Sequence, residues 1–155
     1  MSEFDNGVSA ITGNPGLGRL CRGIEKESLR ITPNGTLSPL PHPEGLGSAL
    51  RHPFITTDFS EAQLELITGI SQSADDCIDE LTNIHRVIYK EIGEELLWGA
   101  SMPCILDNDT NIPIGYYGSS NIGRAKTVYR NGLGNRYGKL MQTISGIHYN
   151  FSLPE

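Results

Sequence analysis

Long apolar runs are missing from this sequence. Nothing in it approaches the ~20 consecutive apolar residues that cross a bilayer, so no membrane partner is expected. Cysteine is scarce: Cys21, Cys77 and Cys104 are far apart and form no C-x-x-C. That excludes a zinc ribbon and a disulfide framework, and leaves reduced thiols that act as small buried hydrophobes. The opening MSEFDNGVSAITGNPGLG lacks both a basic start and an apolar stretch. A secretory signal is therefore not expected, and the chain is read as cytoplasmic. Phosphate-loop and hydrolase signatures are also missing. GNPGLGR and GLGNRYG lack the G-K-[ST] ending, neither fits G-x-G-x-x-G, and no G-x-S-x-G occurs.

Acid is missing from one part of the chain. Residues 1–109 carry seventeen acids and seven bases, whereas residues 110–154 carry no acid and the five bases Arg124, Lys126, Arg130, Arg136 and Lys139. That split suits a cation bound beside an anion, with charge drift on a solvated helix as the plainer alternative. Aromatic and basic residues interleave in RAKTVYRNGLGNRYGK, but a net charge of −6 argues against nucleic acid as a partner.

What is present is a 155-residue chain, enough for one domain with a core, rich in turn formers with Gly 18 and Pro 9. Residues 1–20 read as a loose lead. The stretch CRGIEKESLRI, 21–31, reads as a strand. Alternation puts Glu25 and Glu27 on the face that ends in Leu29 and Ile31, taken as inward, and Arg22, Lys26 and Arg30 on a solvated face. Asn34-Gly35 signals a hairpin turn. His42 and His52 each precede a proline and read as turn residues rather than ligands. ITTDFSEAQLELITG fits strand or helix; the strand is preferred, and either form brings Glu61 near Glu65.

A helix is expected over 74–97, capped by Ser73, with Ile78, Leu81, Ile84, Val87, Ile88, Ile92 and Leu96 as its apolar stripe. DNDTNIPIG is a loop without the glycine and distal glutamate of a calcium hand. A second helix is expected over 121–131, continuing in broken form. The C-terminal strand, 144–153, puts Ile147, Tyr149, Phe151 and Leu153 on one face and His148 and Asn150 on the other.

Two neighbouring inward carboxylates cost several kcal/mol each unless a positive group compensates them. If these strands are neighbours, Glu25, Glu27, Asp58, Glu61, Glu65 and His148 gather on one face. A divalent ion resolves the repulsion, and oxygen donors favour Mg²⁺ or Mn²⁺ over zinc. Surface acids paired with Arg22, Lys26 or Arg30 are the alternative.

GIEKESLR, HPEGLGSALRHPFITTDFSEAQLELIT, SMPC and YGSSNIGRAKTVYRNGLGNRYGKLMQTISGIHYNFSLP together resemble, in order and spacing, the N-terminal portion of the bacterial glutamate–cysteine ligases. The resemblance runs from about 23 to 154. It implies an α+β fold related to glutamine synthetase, with a curved antiparallel sheet, packed helices and a funnel-shaped site. It implies Mg²⁺ or Mn²⁺ on Glu25, Glu27, Asp58, Glu65 and His148, with Glu61 nearer the rim. Phe59, Tyr129 and Leu133 would border a cysteine pocket, while Arg130, Gln142 and Asn150 would face glutamate or the transferring phosphoryl group. The implied substrates are glutamate, cysteine and ATP, joined through an acyl phosphate in the first step of glutathione synthesis. Members of the family are longer, so 21–155 reads as part of one catalytic domain, incomplete at its C-terminus. Activity of this chain alone, another amine as substrate, a catalytically dead remnant that binds metal or a partner, and self-association through an uncovered sheet edge all stay open.

Overall fold

The computed structural model describes residues 2–12, 16, 19–106 and 111–152. Five strands form one sheet: β1 (Cys21–Ile31), β2 (Ile55–Thr57), β3 (Gln63–Ile67), β4 (Leu96–Leu97) and β5 (Ile147–Ser152). Strand β1 is the hub. It pairs β3 on one side, and β4 and β5 share its other side at opposite ends, while β2 lies outside β3. All of these pairings are antiparallel. With helices α1 (Glu3–Thr12), α2 (Ala74–Glu91) and α3 (Asn121–Tyr137), this is the α+β class expected.

The supposedly loose lead contains α1. Its cause is local: Ser2 Oγ accepts the Asp5 amide at 3.2 Å and the Asp5 carboxylate accepts the Ser2 amide at 2.8 Å. This is a reciprocal cap at S-x-x-D spacing.

The face assignment of β1 needs correction. Ile24, Lys26, Ser28 and Arg30 lie on the side covered by α2, not on a solvated one. There Leu64, Leu66 and Ile55 pack against Ile84, Ile88 and Ile92. Arg30 is fully buried: Nη1 donates to Glu95 at 2.6 Å, and Nη2 donates to the carbonyls of Leu40, Pro41 and Glu61. Among the described residues the opposite face is closed at one end, where Leu29 and Ile31 pack with Cys104, Leu37, Trp98 and Leu106. Alternation assumes one wet face, and a central strand covered on both sides at one end breaks that assumption.

Helix α2 begins as expected, with Ser73 Oγ accepting the Asp76 amide at 3.2 Å. It stops earlier than 97: Ile92 caps it and Gly93 turns away at φ +61°, a left-handed value that glycine adopts freely. Leu96 and Leu97 then join the sheet opposite Ile31 and Arg30. Ile78, Val87 and Leu96 are exposed, so the buried stripe is narrower than expected: Cys77, Ile84 and Ile88. Helix α3 is continuous through its glycines rather than broken. Gly123 and Gly134 form its contact face: a methyl on Gly123 would sit 2.3 Å from the Tyr117 carbonyl oxygen, and one on Gly134 3.4 Å from the Phe59 ring. Strand β5 starts at Ile147, after a short 3-10 turn at Met141–Thr143. Leu153 and the D-x-D loop at 107–110 lie outside the described residues. Both early histidines are turn residues: His52 Nδ1 accepts the Ile55 amide at 2.9 Å, and His42 Nδ1 lies 3.1 Å from Thr57 Oγ1.

Candidate functional site

Register assembles the site. Glu27 lies directly opposite Glu65, and Glu25 directly opposite His148. Opposed residues project from the same face, so three strands place three carboxylates and an imidazole together. Asp58 joins them from the tight corner between β2 and β3, where its amide donates to the Gln63 carbonyl at 2.9 Å. Asn150 Nδ2 donates to Glu25 Oε1 at 3.0 Å. Glu27 Oε2 accepts the Gly146 amide at 2.8 Å, and its Oε1 lies 3.4 Å from His148 Nε2.

Arg130 reaches this face from α3. Its Nε donates to the Asp58 carbonyl at 2.8 Å, and Nη2 lies 3.5 Å from Asp58 Oδ1. One cation does not balance the acids. Burial, then the charge of Glu27, raises the Asp58 pKa even though Arg130 and His148 oppose the shift. Burial, then Asp58, Glu27 and Glu25, raises that of Glu65. The face holds surplus carboxylate and presents oxygen donors, the chemistry of a hard divalent cation. Among the described residues, no group of three acid, histidine or cysteine side chains is placed so that it could hold a metal ion.

Other expected residues are placed differently. Glu61 points away from Glu65: its carboxylate accepts the amides of His42, at 2.7 Å, and Tyr116. Both its oxygens are engaged in tying loops together. Phe59 is 1% exposed and packs beneath α3. Tyr129 is exposed on α3 beside Arg130, whose guanidinium lies 5.6 Å from its ring, and Leu133 is half-buried one turn on. Gln142 sits half-buried in the 3-10 turn, with no side-chain hydrogen bond to the acid face among the described residues.

Two participants escaped the sequence reading. Tyr117 is 3% exposed, and its hydroxyl meets the carbonyls of Thr57 and Asp58 and lies 3.4 Å from Arg130 Nε. Burial raises its pKa, so it stays a phenol. Gly146 offers only its amide. Both lie within the stretch that carries the family resemblance, but a tyrosine in a loop and a backbone amide carry no periodic signal of their own.

These features define an α+β domain whose sheet has one packed face and one acid-lined face served by a basic helix. A family profile described as glutamate-cysteine ligase matches residues 8–155. The Alcanivorax borkumensis glutamate–cysteine ligase is 61% identical over 134 residues, covering 86% of this chain and 26% of its own length. That of Edwardsiella ictaluri is 56% identical over 155 residues, covering 99% of this chain and 30% of its own. The crystal structure of the Francisella tularensis glutamate–cysteine ligase in complex with AMP superposes with a TM-score of 0.84 at 48% identity, covering 87% of this chain and 27% of that one. A bifunctional glutathione synthetase from Pasteurella multocida gives 0.80 at 38% identity, covering 89% and 18%. The chain belongs to the glutamate–cysteine ligase family, and it spans between a quarter and a third of the length of these two curated relatives.

Proposed function

We propose that this chain supplies the metal-binding face of a cytoplasmic ligase that joins the γ-carboxylate of glutamate to the amine of cysteine at the expense of ATP. The observation that carries the reading is the direct opposition of Glu27 and Glu65 beside Asp58, with the pKa values of Asp58 and Glu65 both raised. Like charges so arranged need a cation. Glu25, Glu27, Asp58, Glu65 and His148 are the residues to hold Mg²⁺ or Mn²⁺, which when bound neutralises and orients phosphate oxygens.

In the reaction, a γ-carboxylate oxygen of glutamate bonds to the terminal phosphorus of ATP and ADP leaves. The cysteine amine then adds to the acyl carbon, loses its proton, and the tetrahedral species expels phosphate. Little covalent help is needed; alignment and charge compensation do most of the work. Arg130 has Nε anchored and Nη2 beside Asp58, and its guanidinium face turned to the acids is placed to meet developing phosphoryl charge. Asn150 steadies Glu25, and Gln142 would come to the phosphoryl group from the 3-10 turn. Tyr129 and Leu133 border the amine from α3, and Phe59 supports that helix from below. A cavity of about 470 Å³ beyond Glu25, lined in part by Ile67, Ile70 and Phe151, suits the nucleoside end of ATP.

In the full-length ligase, phosphate release with glutamate, cysteine and ATP should exceed release with other amines. Arg130→Lys keeps the charge but loses the planar fork, so it should not restore full activity. A lysine variant equal to wild type would remove the bidentate role. The 155-residue chain alone should bind Mn²⁺ weakly, make no γ-glutamylcysteine, and self-associate through β5, whose Ile147, Tyr149 and Phe151 are exposed. A monomeric chain that turns over all three substrates would overturn that part.

A further inference from the structure

One buried polar group next to the acid face belongs to a residue with no place in the proposed chemistry. Tyr117 lies just before α3, with its ring buried and the Lys126 ammonium 4.9 Å from its centroid. Its carbonyl oxygen sits where a Cβ on Gly123 would collide, so the first turn of α3 rests against its backbone. Its hydroxyl lies 2.6 Å from the Thr57 carbonyl and closer still to that of Asp58. A single phenolic proton is shared between two carbonyls, while the oxygen's lone pairs face Arg130 Nε at 3.4 Å.

Arginine side chains have many rotamers, and holding one in a single pose loses most of that freedom. Here the restraint comes at Nε, the nitrogen closest to the backbone, which donates to the Asp58 carbonyl at 2.8 Å. Fixing Nε fixes the torsions before it and the plane of the guanidinium after it. Nη2 is then turned towards Asp58 Oδ1 at 3.5 Å, and no described residue hydrogen-bonds Nη1. The hydroxyl holds the same Asp58 carbonyl that Nε uses. One group therefore ties down both the arginine and its acceptor.

We infer that Tyr117 is a positioning residue, whose buried hydroxyl locks Asp58 and the Arg130 guanidinium into one geometry and so aims the free end of Arg130 at an anionic ligand on the acid face. The aim at an anion rests on the function proposed above; the lock does not. Among the described residues the Tyr117 hydroxyl bonds to no carboxylate of the face, and it acts through Arg130.

The test separates the two. In the full-length ligase, the ¹H–¹⁵N signal of Arg130 Nε should show slow solvent exchange and an order parameter in the rigid range, about 0.85. Tyr117→Phe keeps the ring and removes the hydroxyl. It should drop that order parameter below about 0.6 and speed exchange, while amide signals of α2 and β3 stay in place. If the variant fails to fold, the wild-type signal still decides: an Arg130 Nε that is mobile and exchanges freely in wild type overturns the lock. So does a folded Tyr117→Phe whose Arg130 signal is unchanged. In the full-length ligase, Tyr117→Phe should lower kcat by about 10-fold, 1.4 kcal/mol, with KM for glutamate nearly unchanged. A confirmed lock with wild-type kcat would remove the aim at phosphoryl charge and leave the positioning intact. Loss of KM alone would assign Tyr117 to ground-state binding and overturn the inference for catalysis.

Discussion

The two faces of the sheet arise from the same strands and are held in different ways. Under α2, Leu64 and Leu66 are fully buried, and even a charge is matched, Arg30 by Glu95 and three carbonyls. On the other face, Glu27 opposes Glu65, and burial with mutual repulsion raises the pKa of Asp58 and Glu65. On one side the buried guanidinium has its carboxylate, although Arg30 Nε and Glu95 Oε1 lack hydrogen-bond partners among the described residues; on the other, carboxylates crowd together without enough positive charge. Stability and function should therefore separate by face, and substitutions can test that separation.

The largest effect is expected on the packed side. Glu95→Ala leaves Arg30 charged, buried and without its carboxylate, which should destabilise the fold by about 3–5 kcal/mol, towards the lower end because the carbonyls remain. Denaturant unfolding measures it. Mn²⁺ affinity of the folded fraction should not change. A loss below about 1 kcal/mol would mean that the pair is replaced by water.

On the open side the pattern should invert. Glu27→Gln should reduce kcat of the full-length ligase by at least ~10²-fold, roughly 2.7 kcal/mol of transition-state stabilisation. In metal-free solution it should leave the fold as stable as wild type or more so, because it removes a charge that repels Asp58 and Glu65. Unchanged turnover and unchanged Mn²⁺ affinity together would refute the ligand assignment. A destabilised apo protein would instead say that the bond from the Gly146 amide matters more than the repulsion.

Much of this contrast was legible from spacing. Glu25 and Glu27 at strand period, Glu65 on a second strand and His148 with Asn150 on a third all reached one face, because register follows period two once the pairing is antiparallel. Which face is wet was not legible. Arg30 reads as a surface cation until Glu95, distant in sequence, is folded onto it. Glu61 shows the same limit: it sits two residues before Gln63, on the same strand parity as Glu65, but the chain turns at 60–62 and sends it to two loop amides. The glycines of α3 look like helix breakers by propensity, and only the approach of Tyr117 and Phe59 shows why a side chain would not fit.

That approach joins the two regions, since α3 carries Arg130 to the acid face on a glycine contact. Gly123→Ala places a methyl 2.3 Å from a backbone oxygen, which must move. A cost of about 1–3 kcal/mol is expected, with Arg130 displaced from Asp58 and kcat falling along with stability. Full activity in a stable Gly123→Ala protein would show that α3 can shift without moving its arginine.

The smallest effect tests the hinge of loop and sheet at His42. Burial, then the positive charges of Arg30 and His52, lowers its pKa from 6.5 to about 4. Its Nε2 is buried without a hydrogen-bond partner among the described residues, and Nδ1 faces Thr57, one residue before Asp58. In the unfolded chain the ring protonates as pH falls through about 6.5, whereas in the folded chain it resists until about 4. Its contribution to stability is therefore complete above the unfolded value and is lost on acidification between the two. The shift bounds the loss at about 3 kcal/mol, and solvent around a part-exposed ring reduces it to about 1–2 kcal/mol. Asp58 and Glu65 act with the opposite sign: their raised folded values mean that the native state takes up protons first, so acidification relieves them. Both proteins in a comparison with His42→Asn keep those acids, so the difference isolates the histidine. Melting curves at pH 7 and pH 5 should show wild type losing more stability than His42→Asn. Parallel losses would mean that the ring is already solvated in the native protein, and that the loop over Thr57 opens more readily than its packing implies.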